Sequence, residues 1–258
     1  MKAGMLSRHG GLVREWTSRT LKGRYQQTLL GWLWAFIQPA AQAAVLTVVF
    51  TRLVPVETGG IPYVAFAYVA ITAWTFLVSS LTDMTNAIVD NMSLVNKIYF
   101  PRAVLPVACM LARLVDFVIG GTVFVLIAAY FRMPLYPAGL LCLPVVVVVQ
   151  LLLITGIGLV TAALNVYLRD VRSLLLLVTQ LWLYASPVIY PLEAVPERYR
   201  LVYSLNPMVG IIEAYRDLLL RSRLPDHHFA ISAAIAVIVC GVGYAVFKSL
   251  EYRFADVV

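Results

Sequence analysis

Residues 138–164 read AGLLCLPVVVVVQLLLITGIGLVTAAL, and this stretch decides the fold. It contains no charged side chain. A helix rising about 1.5 Å per residue needs only about 20 apolar residues to cross a ~30 Å hydrocarbon core. The stretch is therefore a membrane span. Working outward, five further apolar runs of similar length occupy residues 33–54, 62–81, 104–131, 173–190 and 229–247. Composition agrees: 61% of the 258 residues are hydrophobic and only 13% are charged, far from the balance of a soluble domain. The expected fold is an all-α membrane protein with six transmembrane helices filling residues 32–258. It has no internal repeat and no separate soluble domain.

The flanks orient these spans. Lys2, Arg8, Arg14, Arg19, Lys22 and Arg24, opposed only by Glu15, supply most of the formal net charge of +7. Apolar spans follow directly, so this is a cytoplasmic flank rather than a nucleic-acid patch. With the N-terminus inside, the inner segments hold these six and Lys97, Arg102, Arg169, Arg172, Lys248 and Arg253. The outer segments hold Arg52, Arg132, Arg198, Arg200, Arg216, Arg221 and Arg223. The bias places both termini in the cytoplasm. The first long apolar run starts only near Leu33, too late for a signal peptide, so no cleavage is expected.

Two segments outside the spans have a pattern of their own. Leu12, Val13, Trp16 and Thr20 fall on one helical face, and Arg8, Arg14, Glu15, Ser18, Arg19 and Lys22 fall on the other. Residues 1–31 are thus expected to hold an amphipathic helix lying flat in the cytoplasmic interface. The plainer alternative is a charged flank that only orients the first span. The loop after the fifth span contains Met208, Val209, Ile211, Ile212, Tyr215, Leu218 and Leu219, with breaks at Pro191, Pro196 and Asn206-Pro207. Short helices re-entering the outer membrane face over residues 191–220 are expected, a geometry tolerated only where protein or water shields the backbone. Glu213, Arg216 and Asp217 argue against a seventh span.

Polar residues inside the spans form stripes. Tyr68, Thr72, Thr75, Ser79 and Thr82 are spaced four, three, four and three, which aligns them on one helix face. Gln38 and Gln42 lie one turn apart in the first span, and Ser173, Gln180 and Tyr184 form a similar stripe in the fifth. Neutral hydroxyls, amides and aromatic rings suit a path for a hydroxyl-rich polymer such as a glycan. Their alternative use is to hydrogen-bond helices together. Arg113 and Asp116, three apart, are expected to neutralise one another inside the bundle, whereas a proton relay is the alternative. Gly120, Gly121, Gly156, Gly158, Gly241 and Gly243 are expected at close helix contacts.

Catalytic constellations are missing. The chain has no GxxxxGK[ST] phosphate loop, no HExxH, no GxSxG and no CxxC. Cys109, Cys142 and Cys240 lie in apolar runs, where small buried thiols are expected rather than a disulfide or metal site. No catalytic and no metal-binding residue is assigned. If ATP drives the protein, another chain must hydrolyse it.

Five stretches, in order, resemble the ABC-2 type permeases. They are LKGRYQQTLLGWLWAFIQP (residues 21–39), NKIYFPRAVLP (96–106), NVYLRDVRSLL (165–175), YASPVIYP (184–191) and NPMVGIIEAYRDLLL (206–220). The subgroup resembled exports polysaccharides: O-antigen, capsule and teichoic acid. The resemblance implies a homodimer in the bacterial cytoplasmic membrane, bound to two copies of a cytoplasmic ABC ATPase that holds ATP and Mg. No cofactor is expected in this chain. The implied substrate is a glycan on a polyprenyl pyrophosphate lipid, O-antigen foremost.

By the same resemblance, Arg19, Lys22, Arg24 and Tyr25 would meet the lipid pyrophosphate at a lateral gate. Gln38, Gln42, Tyr68, Thr72, Thr75, Ser79, Gln180 and Tyr184 would line the channel. Asn96, Lys97, Arg102, Arg169, Asp170 and Arg172 would couple to the ATPase, and Pro191, Asn206, Pro207 and Glu213 would form the periplasmic gate. The sequence ends soon after the sixth run, so no added substrate-binding domain is expected. The rival readings are an ABC-2 exporter of drugs or small lipids, a membrane enzyme on lipid-linked sugars using Asp83, Asp90 or Asp116, and an ion-coupled carrier.

Overall fold

In the computed structural model, residues 2–26, 33–95, 97, 100–134, 137–252 and 254 are described, with side chains from residue 10 onward except at 138 and 201. The apolar runs fold as helices, and no strand forms among the described residues. Following α1 (Lys2–Tyr25), α2 (Trp34–Val48) ends in a π-helical turn, Val49–Leu53. The long helices α3 (Tyr63–Asn86), α5 (Val104–Tyr130), α6 (Pro137–Tyr167) and α10 (His227–Glu251) come next, with the single turn α4 (Met92–Val95) between α3 and α5. Among the described residues, five segments are long and apolar enough to cross a membrane: α2 with its π turn, α3, α5, α6 from Gly139, and α10.

The fifth expected span differs. Helix α7 (Val171–Tyr184) has only 14 residues, about 21 Å at the helical rise, and residues 185–188 continue as turns. Pro187 explains the stop, because it lacks a backbone donor and disfavours helical geometry at Ser186. Two short helices, α8 (Glu197–Tyr203) and α9 (Pro207–Leu219), then precede α10.

Side-chain bonds define two ends of the bundle. At the first, Asn165 on α6 donates to the Thr85 carbonyl of α3 (2.9 Å), and Tyr167 donates to the Leu250 carbonyl of α10 (3.0 Å). The Arg102 backbone N–H donates to Glu251 at the same end (3.1 Å). At the opposite end, Tyr63 at the start of α3 donates to the Ile189 carbonyl (2.8 Å). Helix α3 is the central one: 78% of its spanning window is buried, against 11–33% in the other four. The outward apolar faces, such as Val118, Leu126, Leu141, Val237 and Ile238, suit contact with lipid.

Close packing rests on fewer glycines than the six expected. A Cβ on Gly156 would lie 2.4 Å from the Val239 carbonyl oxygen, and one on Gly243 would lie 2.2 Å from the Gly156 carbonyl oxygen, so α6 and α10 touch backbone to backbone. Gly158 meets the Met84 sulfur at 2.4 Å in the same sense. Gly120 makes ordinary contacts, and Gly121 and Gly241 face open space. Their place in an apolar helix says nothing of which side they occupy.

Helix α1 lies against α5. Its covered stripe is Val13, Trp16, Thr17, Thr20, Leu21 and Arg24, spaced as one helix face, and the Trp16 ring stacks on Phe100. Leu12, expected on this face, is exposed. Arg24 takes a covered position because partners await it there.

Helix α9 is nearly enclosed at the end opposite α1. Asn206 caps it by accepting from the Met208 backbone N–H (3.0 Å), and Pro207 starts it. Asn206 also accepts from the Trp182 indole and donates to the Ala185 carbonyl, which fastens α9 to the end of α7.

Candidate functional site

Three helices each present one pair of polar residues four apart: Gln38 and Gln42 on α2, Thr75 and Ser79 on α3, Gln180 and Tyr184 on α7. Residues four apart are neighbours on a helix surface, so each pair makes a short polar strip. All six face one groove of about 700 Å³, whose remaining wall includes Ile71, Trp74, Leu176, Val188 and Ile189. The sequence stripes thus converge in space.

One of the expected lining residues does other work. Tyr68 is buried, and its hydroxyl donates to the Gly120 carbonyl (2.7 Å), joining α3 to α5. Thr72 sits beside it at 8% exposure, between the groove's neck and an apolar cleft of about 410 Å³ bounded by α3, α5, α6 and α9. At the fifth position of that stripe, Thr82 donates back to the Val78 carbonyl (2.8 Å). Of these, Tyr68 follows the alternative of helix-joining bonds, whereas the Thr82 bond stays within α3.

Toward the α1 end the groove narrows to a neck of about 120 Å³, where Gln38, Thr72, Thr75 and Ser79 meet Arg24, Tyr25, Arg113 and Asp116. Here the lone pair expected between Arg113 and Asp116 is replaced by a cluster of four charges. Arg113 binds Asp83 first, through Nε (2.6 Å) and Nη2 (3.1 Å), and reaches Asp116 only at 3.3 Å. Arg24 of α1 bridges both carboxylates, at 2.6 Å to Asp83 and 2.7 Å to Asp116. The Tyr25 hydroxyl donates to Asp116 as well. Burial, reinforced by that bond to a carboxylate, pushes the Tyr25 phenol up to about 12, so it stays a donor.

Of the residues assigned to the lipid pyrophosphate, Arg24 and Tyr25 therefore stand at the groove's mouth, held by carboxylates. Arg19 and Lys22 are exposed on α1, Arg19 lying over the Trp16 ring (4.7 Å). Asp83 was missed as a partner, although it directly follows Thr82 at the end of the polar stripe. Its two arginines lie 30 and 59 residues away, beyond any local spacing rule.

At the opposite end, Arg216 is fully buried, bonded to Glu213 (2.7 Å) and to the Val188 carbonyl (3.1 Å), with its guanidinium 3.5 Å from the Phe66 ring centroid. Arg221 joins Glu213 (2.5 Å) to Asp217 (3.0 Å). Val188 and Ile189 line the groove, so Arg216 and Tyr63 clamp its rim at this end. Pro191 is buried beside this rim, and Asn206, Pro207 and Glu213 belong to the same assembly.

The positions assigned to an ATPase gather at the α1 end. Lys97, Arg169, Asp170 and Arg172 are exposed there, the last three around the turn between α6 and α7. Arg102 is turned inward to Glu251 and the Phe254 ring. Asn96 lies outside the described residues.

Among the described residues, Asp226, His227 and His228 bring metal-ligand atoms within 4.8 Å of one another. Asp226 caps α10 by accepting from the His228 N–H, and His228 Nδ1 bonds Ser204 (2.7 Å). A helix N-terminus also disfavours a cation, so the group serves as a cap.

Helices long and apolar enough to cross a membrane, a polar groove and a charged mouth fit a transport protein, and residues 12–220 match the ABC-2 type transporter family. The chain belongs to that family. It is similar to the O-antigen export system permease protein RfbA of Myxococcus xanthus, at 31% identity over 97% of this chain and 96% of that protein. A Klebsiella pneumoniae protein of the same name is 26% identical over 93% and 92% of the two chains. The polysialic acid transport protein KpsM of Escherichia coli is 23% identical over 90% and 91%.

Proposed function

We infer that the chain is the permease subunit of an ATP-driven exporter that moves a polyprenyl-pyrophosphate-linked polysaccharide, of O-antigen type, across the bacterial cytoplasmic membrane. The observation that carries this is the groove: three neutral polar pairs line its length, and charge is confined to its ends. Neutral amides and hydroxyls exchange bonds with sugar hydroxyls, and the exposed Tyr184 ring offers an aromatic face for stacking. The relatives' names, for O-antigen export and polysialic acid transport, support the same substrate class.

Two copies of the chain would enclose the path, and two copies of a separate ATPase, holding ATP and Mg, would drive it. Both termini lie in the cytoplasm in this reading. Six crossings follow if α7 and residues 185–189 together traverse the bilayer, which the bond from Tyr63 to the Ile189 carbonyl at the end opposite α1 supports. Helices α8 and α9 are then re-entrant, and enclosure of α9 by protein satisfies the condition for such backbone.

Closure of the ATPase dimer would press on the exposed turn carrying Arg169, Asp170 and Arg172, at the start of groove-lining α7. Proteoliposomes holding permease and ATPase test this. Arg169→Ala or Asp170→Ala should abolish coupled glycan export while ATP hydrolysis persists, and unchanged export would remove these residues from the coupling path.

A further inference from the structure

The charged mouth is electrically closed. Two guanidiniums, Arg24 and Arg113, face two carboxylates, Asp83 and Asp116, and all four side chains are sheltered, with 14–27% of each exposed. Both guanidiniums of the mouth are already paired when an anion arrives. Three of the four charges, Asp83, Arg113 and Asp116, belong to the spanning helices α3 and α5, and only Arg24 belongs to α1. Removing Arg24 would leave one guanidinium for two carboxylates, with Asp116 held by its 3.3 Å contact to Arg113 and by Tyr25 of the same departing helix. A sheltered carboxylate without compensation is strongly unfavourable. Helix α1 is therefore locked against α5 by charge as well as by packing.

We propose that Asp83 and Asp116 form a carboxylate latch that holds α1 shut over the groove, and that the diphosphate of the incoming lipid opens it by taking Arg24 in exchange. The proposal rests on the reading of the groove as the route of a lipid-linked glycan. Exchange suits the chemistry. A diphosphate carries more charge than one carboxylate and presents several acceptor oxygens to a planar guanidinium fork. Once bound to Arg24, it is repelled by Asp83 and Asp116, so the same event that captures the head group drives α1 from the neck. Arg113 remains paired with Asp83 behind it. Asp83 and Asp116 are thus positioning residues: they make opening conditional on an anionic head group and keep the neck closed to other molecules.

The latch can be read without glycan, ATPase or ATP. Spin labels at Gly23→Cys and Val89→Cys, both exposed positions, report the distance from α1 to the end of α3 once the native cysteines are replaced. In nanodiscs of uncharged lipid, the wild-type background is expected to give one short, narrow distance, and Asp83→Asn/Asp116→Asn a longer and broader one. Loss of both acids leaves Arg113 unpaired, so Arg24→Gln provides the second arm: it empties only the α1 side and should open the neck equally. Undecaprenyl diphosphate should shift the wild-type distance to the open value, and uncharged undecaprenol should not. Variants that keep the wild-type distance, a diphosphate without effect, or an equal response to undecaprenol would each overturn the latch. Failure to export a glycan leaves this result untouched, so the two readings fall separately.

Discussion

Arg216 shows how much a single buried charge depends on its surroundings. Its guanidinium has no exposure, and it is compensated by Glu213, the Val188 carbonyl and the face of Phe66. Removing one member of a buried pair costs about 3 to 5 kcal/mol, because the other is left uncompensated. Glu213→Gln should therefore lower the melting temperature of the purified protein sharply, whereas Glu197→Gln, on an exposed surface pair, should leave it within error. Equal melting temperatures would mean that the outer cluster does not hold α9. At this scale the sequence was partly legible. Glu213, Arg216 and Asp217 were legible as charges that interrupt a span, and the fold adds their partners. The cluster of Arg24, Asp83, Arg113 and Asp116 was not legible, because its bonds join residues 30 to 92 positions apart and only the Arg113–Asp116 spacing was local.

Among the elements, the apolar runs located the helices to within a few residues, since hydrophobic length is fixed by the bilayer. The run at residues 173–190 was the exception. Its hydropathy does not register that Pro187 ends the helix, and α7 stops at Tyr184. Glycine roles were legible only as a class. Their facing directions depend on how helices pair, and the α6–α10 contact selects Gly156 and Gly243. Adding side chains there forces backbones apart, at a cost of about 1 to 3 kcal/mol or more. Gly156→Val and Gly243→Val should reduce the yield of monodisperse protein and its melting temperature. Gly121→Ala and Gly241→Ala, with nothing within 4 Å, should change neither. A tolerant Gly243 would contradict the backbone contact.

Across the whole molecule, the groove joins a mouth guarded by α1 to a rim clamped by α9, and the same central helix, α3, contributes to both ends and to the polar lining between. That arrangement was legible in part from the stripes of α2, α3 and α7, each a local spacing, but their convergence required the fold. The claim that a glycan passes along them is tested most directly by photo-cross-linking during export. A benzophenone side chain is placed in turn at Thr75, at Gln180 and at Thr122 in the apolar cleft, in proteoliposomes with the ATPase and a radiolabelled lipid-linked glycan. The account predicts ATP-dependent glycan adducts at Thr75 and Gln180 and none at Thr122. Adducts at Thr122 alone, or none at the groove positions while export proceeds, would contradict it.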